Sequence, residues 1–166
     1  MGEETVRLGM PLLQSGQAQK ELFHNEALAL LDLVVQAGVE AVGPDTPPAS
    51  PSPGQAWVVG ASPTGAWAGQ AGAIAGWSAN GWRFVPPREG MAAWSAADGA
   101  TARYRAGAWE VGQMRAKRVV VDGVPVLGAQ RPAIDAPAGG GVADAESRTA
   151  IGAILAALRA HGLIAS

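Results

Sequence analysis

Hydrophobic positions recur at steps of three and four between residues 16 and 36. The positions that share this spacing are Leu22, Phe23, Ala27, Leu30, Leu31, Val34 and Val35. Such spacing places apolar side chains along one side of a helix, so it predicts an amphipathic helix over about 16–36. Ser15 is the expected N-cap, and Gly38 is the expected stop signal.

The composition changes after this helix. The segment GPDTPPASPSPG, residues 43–54, contains five prolines. Dense proline favours an extended chain and is incompatible with a central strand or a helix. The pattern therefore predicts a semi-rigid linker that follows an N-terminal helical segment, residues 1–42.

Residues 55–112 have a different pattern of short apolar runs. The runs QAWVVG, GAIAGW, GWRFVPP, MAAWSA and ARYRAGAWE are each bounded by Gly, Pro, Asn or Asp. Short runs between turn signals predict a small antiparallel β domain. Asn80-Gly81 fits a two-residue type I′ turn, and Ala106-Gly107 is the candidate for a second hairpin turn.

The C-terminal part predicts a hairpin and a second helix. Residues 113–142 contain VVVDGVPVLG, in which Asp122-Gly123 joins two apolar strands and Pro125 requires a sheet edge, followed by a connector. In residues 143–166, Asp144 is the expected N-cap and Gly162 the expected C-cap of the helix. The predicted fold class is mainly β with flanking helices (α+β).

The apolar stripe of the C-terminal helix is narrow. It consists of Ile151, Ile154, Leu155 and Leu158, and alanine fills much of the remaining surface. A stripe of about two residues per heptad is typical of an oligomer seam, and isoleucine at consecutive seam positions favours more than two strands. Packing within the monomer is the alternative, but we expect these four residues to form the interface of a homotrimer.

Charge and composition exclude several classes of function. The net charge is −2 and the chain has no cysteine, so it has neither the basic excess of a nucleic-acid-binding domain nor thiols for a disulfide or a zinc site. Arg115, Lys117 and Arg118 are too few to specify an anionic partner, and a solvated strand entry is the simpler interpretation. The N-terminus does not have the pattern of a cleaved signal, and no apolar run is long enough for membrane insertion.

Catalytic patterns are missing as well. The two histidines, His24 and His161, lie on different predicted helices, and a glycosidase pair such as Glu89 with Asp98 has no support from its spacing. No metalloprotease, nucleophile-elbow or phosphate-loop motif occurs. We expect a protein that is not an enzyme and that has no cofactor, no metal and no catalytic residue.

All six tryptophans and the only tyrosine lie between Trp57 and Trp109. Trp buries much apolar area, so several of these rings are expected in the core, with Trp82 and Phe84 at alternating inward positions. Six rings are nevertheless many for so small a core, and aromatic rings are enriched in recognition sites. The candidates for contact with a sugar ligand are Trp67, Trp77, Trp94 and Tyr104.

Three strings of the sequence resemble proteins that prophages and gene transfer agents encode. PLLQSGQAQKELFHNEAL and the region from GQAWVVG to GMAAW resemble an uncharacterised domain family encoded by prophages and gene transfer agents of alphaproteobacteria. The ending, from VVVDGVPVLG to LAALRAHGLI, resembles a C-terminal module that several virion proteins of these elements share.

The resemblance implies a function at the particle surface. The chain is expected to be a head spike or tail fibre component, made in the bacterial cytoplasm and carried on the virion, with other virion proteins and a cell-surface polysaccharide as partners. The alternative is a purely structural spike-base or connector protein, in which every tryptophan belongs to the core.

Overall fold

The computed structural model describes residues 4–14, 16, 20–139 and 144–165, and it divides the chain into two units, Met1–Gln113 and Met114–Ser166. The predicted fold class is confirmed, because nine strands and two helices are present among the described residues. The division differs from the five segments that the sequence indicated. The first helix and the Trp-rich strands belong to one unit, since that helix packs on a sheet.

In its described residues the first unit has one helix, one 3-10 turn and seven strands. Their bounds are α1 Lys20–Val34, β1 Gly38–Val39, β2 Ala56–Val58, the 3-10 turn Gly65–Trp67, β3 Ile74–Ser78, β4 Gly81–Val85, β5 Ala92–Ser95, β6 Ala100–Arg105 and β7 Ala108–Val111.

These seven strands form two sheets. One has the order β2-β3-β4 and is antiparallel; the other has the order β1-β5-β6-β7, in which β1 runs parallel to β5. A core of small and branched side chains includes residues from α1 and from both sheets. Its buried members are Leu33, Ala37, Val39, Ala56, Val58, Ile74 and Ala93.

Helix α1 is held by the chain that precedes it. The buried carboxylate of Asp32 accepts hydrogen bonds from the Thr5 hydroxyl at 2.8 Å, from the Arg7 N–H at 3.0 Å and from the Leu8 N–H at 2.6 Å. The Arg7 guanidinium donates to the carbonyls of Asp32, Leu33 and Gln36. Carbonyls at the end of a helix have no intrahelical partner, so Arg7 acts as a C-cap supplied from a distant segment.

The ends of α1 differ from the prediction. Ser15, the expected N-cap, lies outside the described residues. The helix ends at Val34, and the left-handed residue beyond it is Gln36, with φ of 49°, whereas Gly38 begins β1. The arginine cap explains why the helix ends before the glycine.

The apolar stripe predicted for α1 is largely exposed. Leu33 reaches the core, whereas the outward stripe contains exposed Phe23, Ala27 and Leu31. Helix–sheet contact here uses Leu33, which the predicted stripe did not include, because Gly76 in β3 leaves room for its side chain. A surface of large apolar side chains therefore remains on the opposite side of α1.

The proline-rich segment is part of the first unit and does not link domains. The Gly43 N–H donates to the Val58 carbonyl at 2.9 Å, and the Gly54 N–H donates to the Trp77 carbonyl at 2.9 Å. The Asp45 carboxylate accepts from the Ser62 N–H at 2.8 Å. Proline fixes the extended conformation of the segment, while backbone groups near both of its ends fasten it to the sheet.

The hairpin turns are of two kinds. Ala106 and Gly107 have φ of 48° and 85°, and Asp122 and Gly123 have φ of 48° and 79°, as type I′ turns require. The prediction for Asn80-Gly81 is wrong, because strands β3 and β4 end at the pair Ser78↔Gly81 and φ is positive only at Gly81.

The loop of that β3–β4 hairpin is Ala79-Asn80. Gly81, with φ of 100°, takes the left-handed position that follows a type I turn. The Ser78 hydroxyl stabilises this form by accepting from the Asn80 N–H at 3.2 Å and donating to the Gly81 carbonyl at 3.0 Å.

The second unit contains β8 Val119–Val121, β9 Val124–Leu127 and α2 Ala145–Ala160. The two strands form a two-stranded sheet with Val120 opposite Pro125, so the proline lies at an edge as predicted. The connector between hairpin and helix is tied to α2 by Arg148, which donates to the Pro137 carbonyl, and by Arg159, which donates to the Ile134 carbonyl. No helix in the described parts of the chain is long and apolar enough to cross a membrane.

Candidate functional site

Five aromatic residues form a cluster on one face of the β2-β3-β4 sheet. The strand register places Trp77 opposite Trp82 and Ala75 opposite both Trp57 and Phe84. Directly opposed residues lie on the same face of a sheet, so the alternation of β2, β3 and β4 collects these rings. We call Trp57, Trp67, Trp77, Trp82 and Phe84 the aromatic cluster.

Trp67 closes the aromatic cluster from the 3-10 turn. It is 0% exposed, and its ring centroid lies 5.2 Å from that of Trp82 and 6.1 Å from that of Trp57. Its indole N–H has no hydrogen-bond acceptor among the described residues, but its ring meets Trp82 edge-on at 80°, an arrangement in which an N–H can face a π system. Trp67 was a candidate ligand contact, and its complete burial assigns it to the core instead.

Trp77 and Tyr104, two further candidates, are half-buried. The Trp77 ring meets Trp82 at 5.0 Å, so it contributes to the same cluster, in which Trp57 and Trp67 are buried and Trp82 and Phe84 pack against them. Tyr104 lies on the inner face of the four-stranded sheet and meets Trp109 at 5.6 Å. Neither ring offers a free flat face comparable to that of Trp94.

Trp94 lies on the outer face of the four-stranded sheet and is 53% exposed. Its neighbours along β5, Ala93 and Ser95, are buried, and alternation therefore directs Trp94 outward. Thr101 is directly opposite on β6, also exposed. Among the tryptophans that the structure describes, Trp94 alone has more than half of its surface accessible. The four candidate residues therefore do not form one surface: Trp67 and Trp77 belong to the aromatic cluster, while Trp94 and Tyr104 lie on opposite faces of the four-stranded sheet.

A shallow depression of about 260 Å³ lies beside Trp94. Its lining consists of the Trp94 ring with Gln36, Ala37, Ala92, Ala93 and Thr101. The alanines leave space next to the ring, while the Gln36 amide and the Thr101 hydroxyl supply hydrogen-bonding groups of both kinds. An accessible ring with space beside it and polar groups at the rim suits a flat, hydroxyl-rich ligand.

Gln36 holds an uncommon backbone conformation at this rim. Its φ of 49° falls in the left-handed region, where glycine is usual at a helix C-terminus and other residues are disfavoured by about 1–2 kcal/mol. Its carbonyl is fixed by the Arg7 guanidinium at 3.1 Å. Sequence reasoning missed Gln36 because the helix predicted over about 16–36 included it, with Gly38 as the stop signal.

A larger cleft of about 580 Å³ lies between residues 4–12, α1 and the β3–β4 hairpin. Four of its charged side chains already have partners: Arg7, Glu26, Asp32 and Arg83. Arg83 donates to Glu26 at 2.9 Å and also to the Ser78 hydroxyl, and Asp32 binds the segment before α1. These charges therefore position the helix against the hairpin.

Features of a catalytic or metal centre are also sparse. Among residues 4–14, 16, 20–139 and 144–165, no three potential metal-ligating side chains lie together. The exposed carboxyl of Asp144 has a lowered pKa, because it accepts hydrogen bonds from the Ser147 N–H and hydroxyl. That interaction caps a helix.

The four residues predicted for an oligomer interface are not equally accessible. Ile151 and Ile154 are exposed and Leu158 is half-buried, but Leu155 is only 5% exposed. Leu155 therefore packs inside its own chain and is not available to a seam. The homotrimer stays a prediction, with Ile151, Ile154 and Leu158 as the residues available for its interface.

These observations define a mainly β module. Helix α1 packs on one face of the β2-β3-β4 sheet, and the aromatic cluster lies on the other face of that sheet. The chain belongs to the DUF2793 family, described as proteins of unknown function, whose family model matches residues 24–110 of the 166. No curated protein matches the sequence. The matched region runs from α1 through β7, so it includes Trp94 and the aromatic cluster, whereas β8, β9 and α2 lie outside it.

Proposed function

We propose that this chain is a surface component of a phage or gene-transfer-agent particle and that it helps to bind host cell-surface polysaccharide through Trp94. The observation that carries the proposal is the exposed Trp94 ring beside its depression. The resemblance of the sequence to virion proteins supports the setting. The protein would be made in the bacterial cytoplasm and carried on the head or the tail of the particle.

The chemistry of the site favours a carbohydrate. The C–H groups on one face of a pyranose ring are apolar and can lie on an indole, while its hydroxyls need hydrogen-bond partners. Thr101 and Gln36 border the ring and offer a hydroxyl and an amide. A single shallow site gives low affinity, so binding to a repeating polymer would gain from several copies of the protein on one particle.

The test is a binding measurement with the full chain. Capsular polysaccharide purified from an alphaproteobacterial host, together with a printed glycan array, is presented to the wild type and to Trp94→Ala. We expect wild-type binding and a loss of at least tenfold in Trp94→Ala, because the ring supplies the contact area. Phe23→Ala is the matched control, since it removes an even more exposed ring from α1 of the same unit.

Gln36→Gly separates ligand binding from stability. Glycine removes the amide and also relieves the left-handed backbone conformation. We expect higher thermal stability together with weaker polysaccharide binding. Absence of wild-type binding to every polysaccharide tested, or equal binding by Trp94→Ala, would contradict the proposal.

A connector without glycan binding is the second candidate function. The outward surface of α1 favours it, because Phe23 is 81% exposed and Leu31 is 47% exposed. Large apolar side chains on a helix surface are typical of contact with another chain. Under this alternative Phe23→Ala would impair incorporation into the particle, whereas Trp94→Ala would leave both incorporation and host attachment unchanged.

A further inference from the structure

The β8–β9 hairpin exposes its large apolar side chains to solvent. Its large apolar side chains are between 38% and 60% exposed: Val119, Val120, Val121, Val124, Val126 and Leu127. Its two strands pair only with each other among the described residues. A two-stranded hairpin is marginally stable in water, and exposed apolar strands with open edges readily pair with another chain.

The two edges of this hairpin differ in their capacity to pair. Val121 and Val124 flank the two-residue turn and are opposite each other, so their backbone groups bond across the hairpin. The pairing keeps a regular register as far as Val120↔Pro125 and shifts by one residue between Val120 and Val119, so alternation directs the N–H and C=O of Val120 away from β9 and the backbone of Pro125 away from β8. Proline has no N–H, so β9 lacks the outward donor at this position, whereas β8 has it.

We propose that the β8 edge pairs with the β8 edge of a second copy of this chain. The arrangement is antiparallel and centred on Val120, so that each Val120 exchanges two backbone hydrogen bonds with the partner's Val120. A two-fold axis relates the copies, and the result is a continuous four-stranded sheet. This edge belongs to the second unit, and the proposal does not depend on the proposed function.

Charge complementarity supports this register. With Val120 opposite Val120, Arg118, which directly precedes β8, comes beside the partner's Asp122, which directly follows β8 as the first residue of the turn. Both side chains are exposed and carry opposite charges. A shift along the strand would separate these charges, and like charges opposite each other are destabilising. Two such pairs form across one two-fold axis.

The first experiment measures mass and cross-linking of the full chain. We expect light scattering at micromolar concentration to give twice the mass of one chain, and Val120→Pro to give the mass of one chain, because it removes the outward donor as Pro125 does on β9. The chain has no cysteine, and opposed Cα atoms about 5.5 Å apart permit a disulfide. Val120→Cys should therefore form a covalent dimer on mild oxidation, and Val126→Cys, on the other strand, should not.

The second experiment tests the register by charge. Arg118→Asp places like charges opposite each other and should weaken association about fivefold or more. Arg118→Asp combined with Asp122→Lys should restore it, and Asp122→Asn, which keeps a residue suited to the turn, controls for the loss of charge alone. Pro125→Val should produce assemblies larger than a dimer, since both edges could then pair.

The possible outcomes distinguish association through the β8 edge from association through another surface. A monomeric wild type overturns the proposal. So does an oligomer whose mass is unchanged by Val120→Pro and Arg118→Asp and in which Val120→Cys gives no cross-link; three copies would then support a seam through Ile151 and Ile154. Cross-linking at Val120 supports the proposal even where Val120→Pro disturbs the hairpin.

Discussion

Gly76 determines how closely α1 approaches the β2-β3-β4 sheet. A Cβ at this position would lie 2.6 Å from Leu33 Cδ1 and 3.0 Å from Leu33 Cδ2. Leu33 is 5% exposed and belongs to the core of the first unit, so it has little freedom to move away. The missing side chain at Gly76 therefore permits the central helix–sheet contact.

Gly76→Ala should lower the free energy of unfolding by about 1–3 kcal/mol, because overpacking forces neighbouring side chains out of their rotamers. Urea denaturation measures the change. The double variant with Leu33→Ala is the control: if the contact causes the loss, the two substitutions are not additive, and the second costs less in the presence of the first. Equal urea midpoints for Gly76→Ala and the wild type would contradict this explanation.

Trp82 is the centre of the aromatic cluster. Its ring lies 5.0 to 5.7 Å from those of Trp57, Trp67 and Trp77, and 6.5 Å from that of Phe84. The inward position predicted for Trp82 agrees with these contacts. Trp77 shares its face because the two residues are a direct cross-strand pair, so Trp77 also contributes to stability.

Trp82→Ala should therefore cost about 3–5 kcal/mol of unfolding free energy, as the loss of a large core ring usually does. Thermal or urea unfolding followed by tryptophan fluorescence gives the value. Trp94→Ala is the matched control, and its change should stay within about 0.5 kcal/mol, because that ring is half exposed. A Trp82→Ala protein as stable as the Trp94→Ala control would show that the cluster does not support the fold.

At the scale of elements, local signals predicted strands β2 to β9, the hairpin turns at Ala106-Gly107 and Asp122-Gly123, and the N-cap of α2, but they missed β1. Asp122-Gly123 has the chemistry that its turn needs, and Val121 pairs with Val124 across it. The turn predicted at Asn80-Gly81 lies one residue beyond the observed loop, Ala79-Asn80. A type I turn followed by a left-handed glycine also contains an Asn-Gly pair. Both alternatives are compatible with the dipeptide, and the pairing of Ser78 with Gly81 decides between them.

Contacts between distant segments could not be predicted from such signals. Arg7 caps a helix that ends 27 residues later, at Val34, and no local pattern connects them. The parallel pairing of β1 with β5 likewise joins residues far apart in the chain. For the candidate site, the excess of aromatic residues indicated Trp94 among four rings, but only the strand register identifies the exposed one.

Helix α2 begins with a charged cap whose effect depends on pH. Asp144 accepts from the Ser147 N–H at 2.8 Å and from the Ser147 hydroxyl at 2.7 Å, and these bonds lower its pKa from an ordinary value of 3.8. A lowered pKa means that the ionised carboxylate stabilises the helix. This contribution is fully present above 3.8 and is lost as the pH falls through the lower folded-state pKa.

Acidification should therefore fray the first turn of α2 at a pH below 3.8. The amide proton shift of Ser147, followed by NMR during the titration, reports the loss of the hydrogen bond. Asp144→Asn is the control, because asparagine also caps helices but has no carboxyl to titrate. A Ser147 titration midpoint at or above 3.8 would contradict the stabilising role of the carboxylate.

At the scale of the whole molecule, the two units differ in how much they bury. The buried hydrophobic residues of the described chain lie in the first unit, apart from Leu155 and Ile164. The second unit has a 16-residue helix, a two-stranded hairpin and a connector. An isolated helix of that length is marginal in water, and so is an isolated hairpin. The second unit therefore has too small a core to be stable without association.

A fragment of residues 114–166 should thus fold only as it self-associates, and its helix content should rise with protein concentration, since association stabilises only the folded form. Far-UV circular dichroism over a range of dilutions measures this. The fragment of residues 1–113 is the matched control and should unfold at the temperature of the first unit in the full chain, independently of concentration. Introducing Val120→Pro into fragment 114–166 should abolish the concentration dependence, because it blocks the β8 edge. A fragment 114–166 that is folded as a monomer would contradict the link between its exposed hairpin and association.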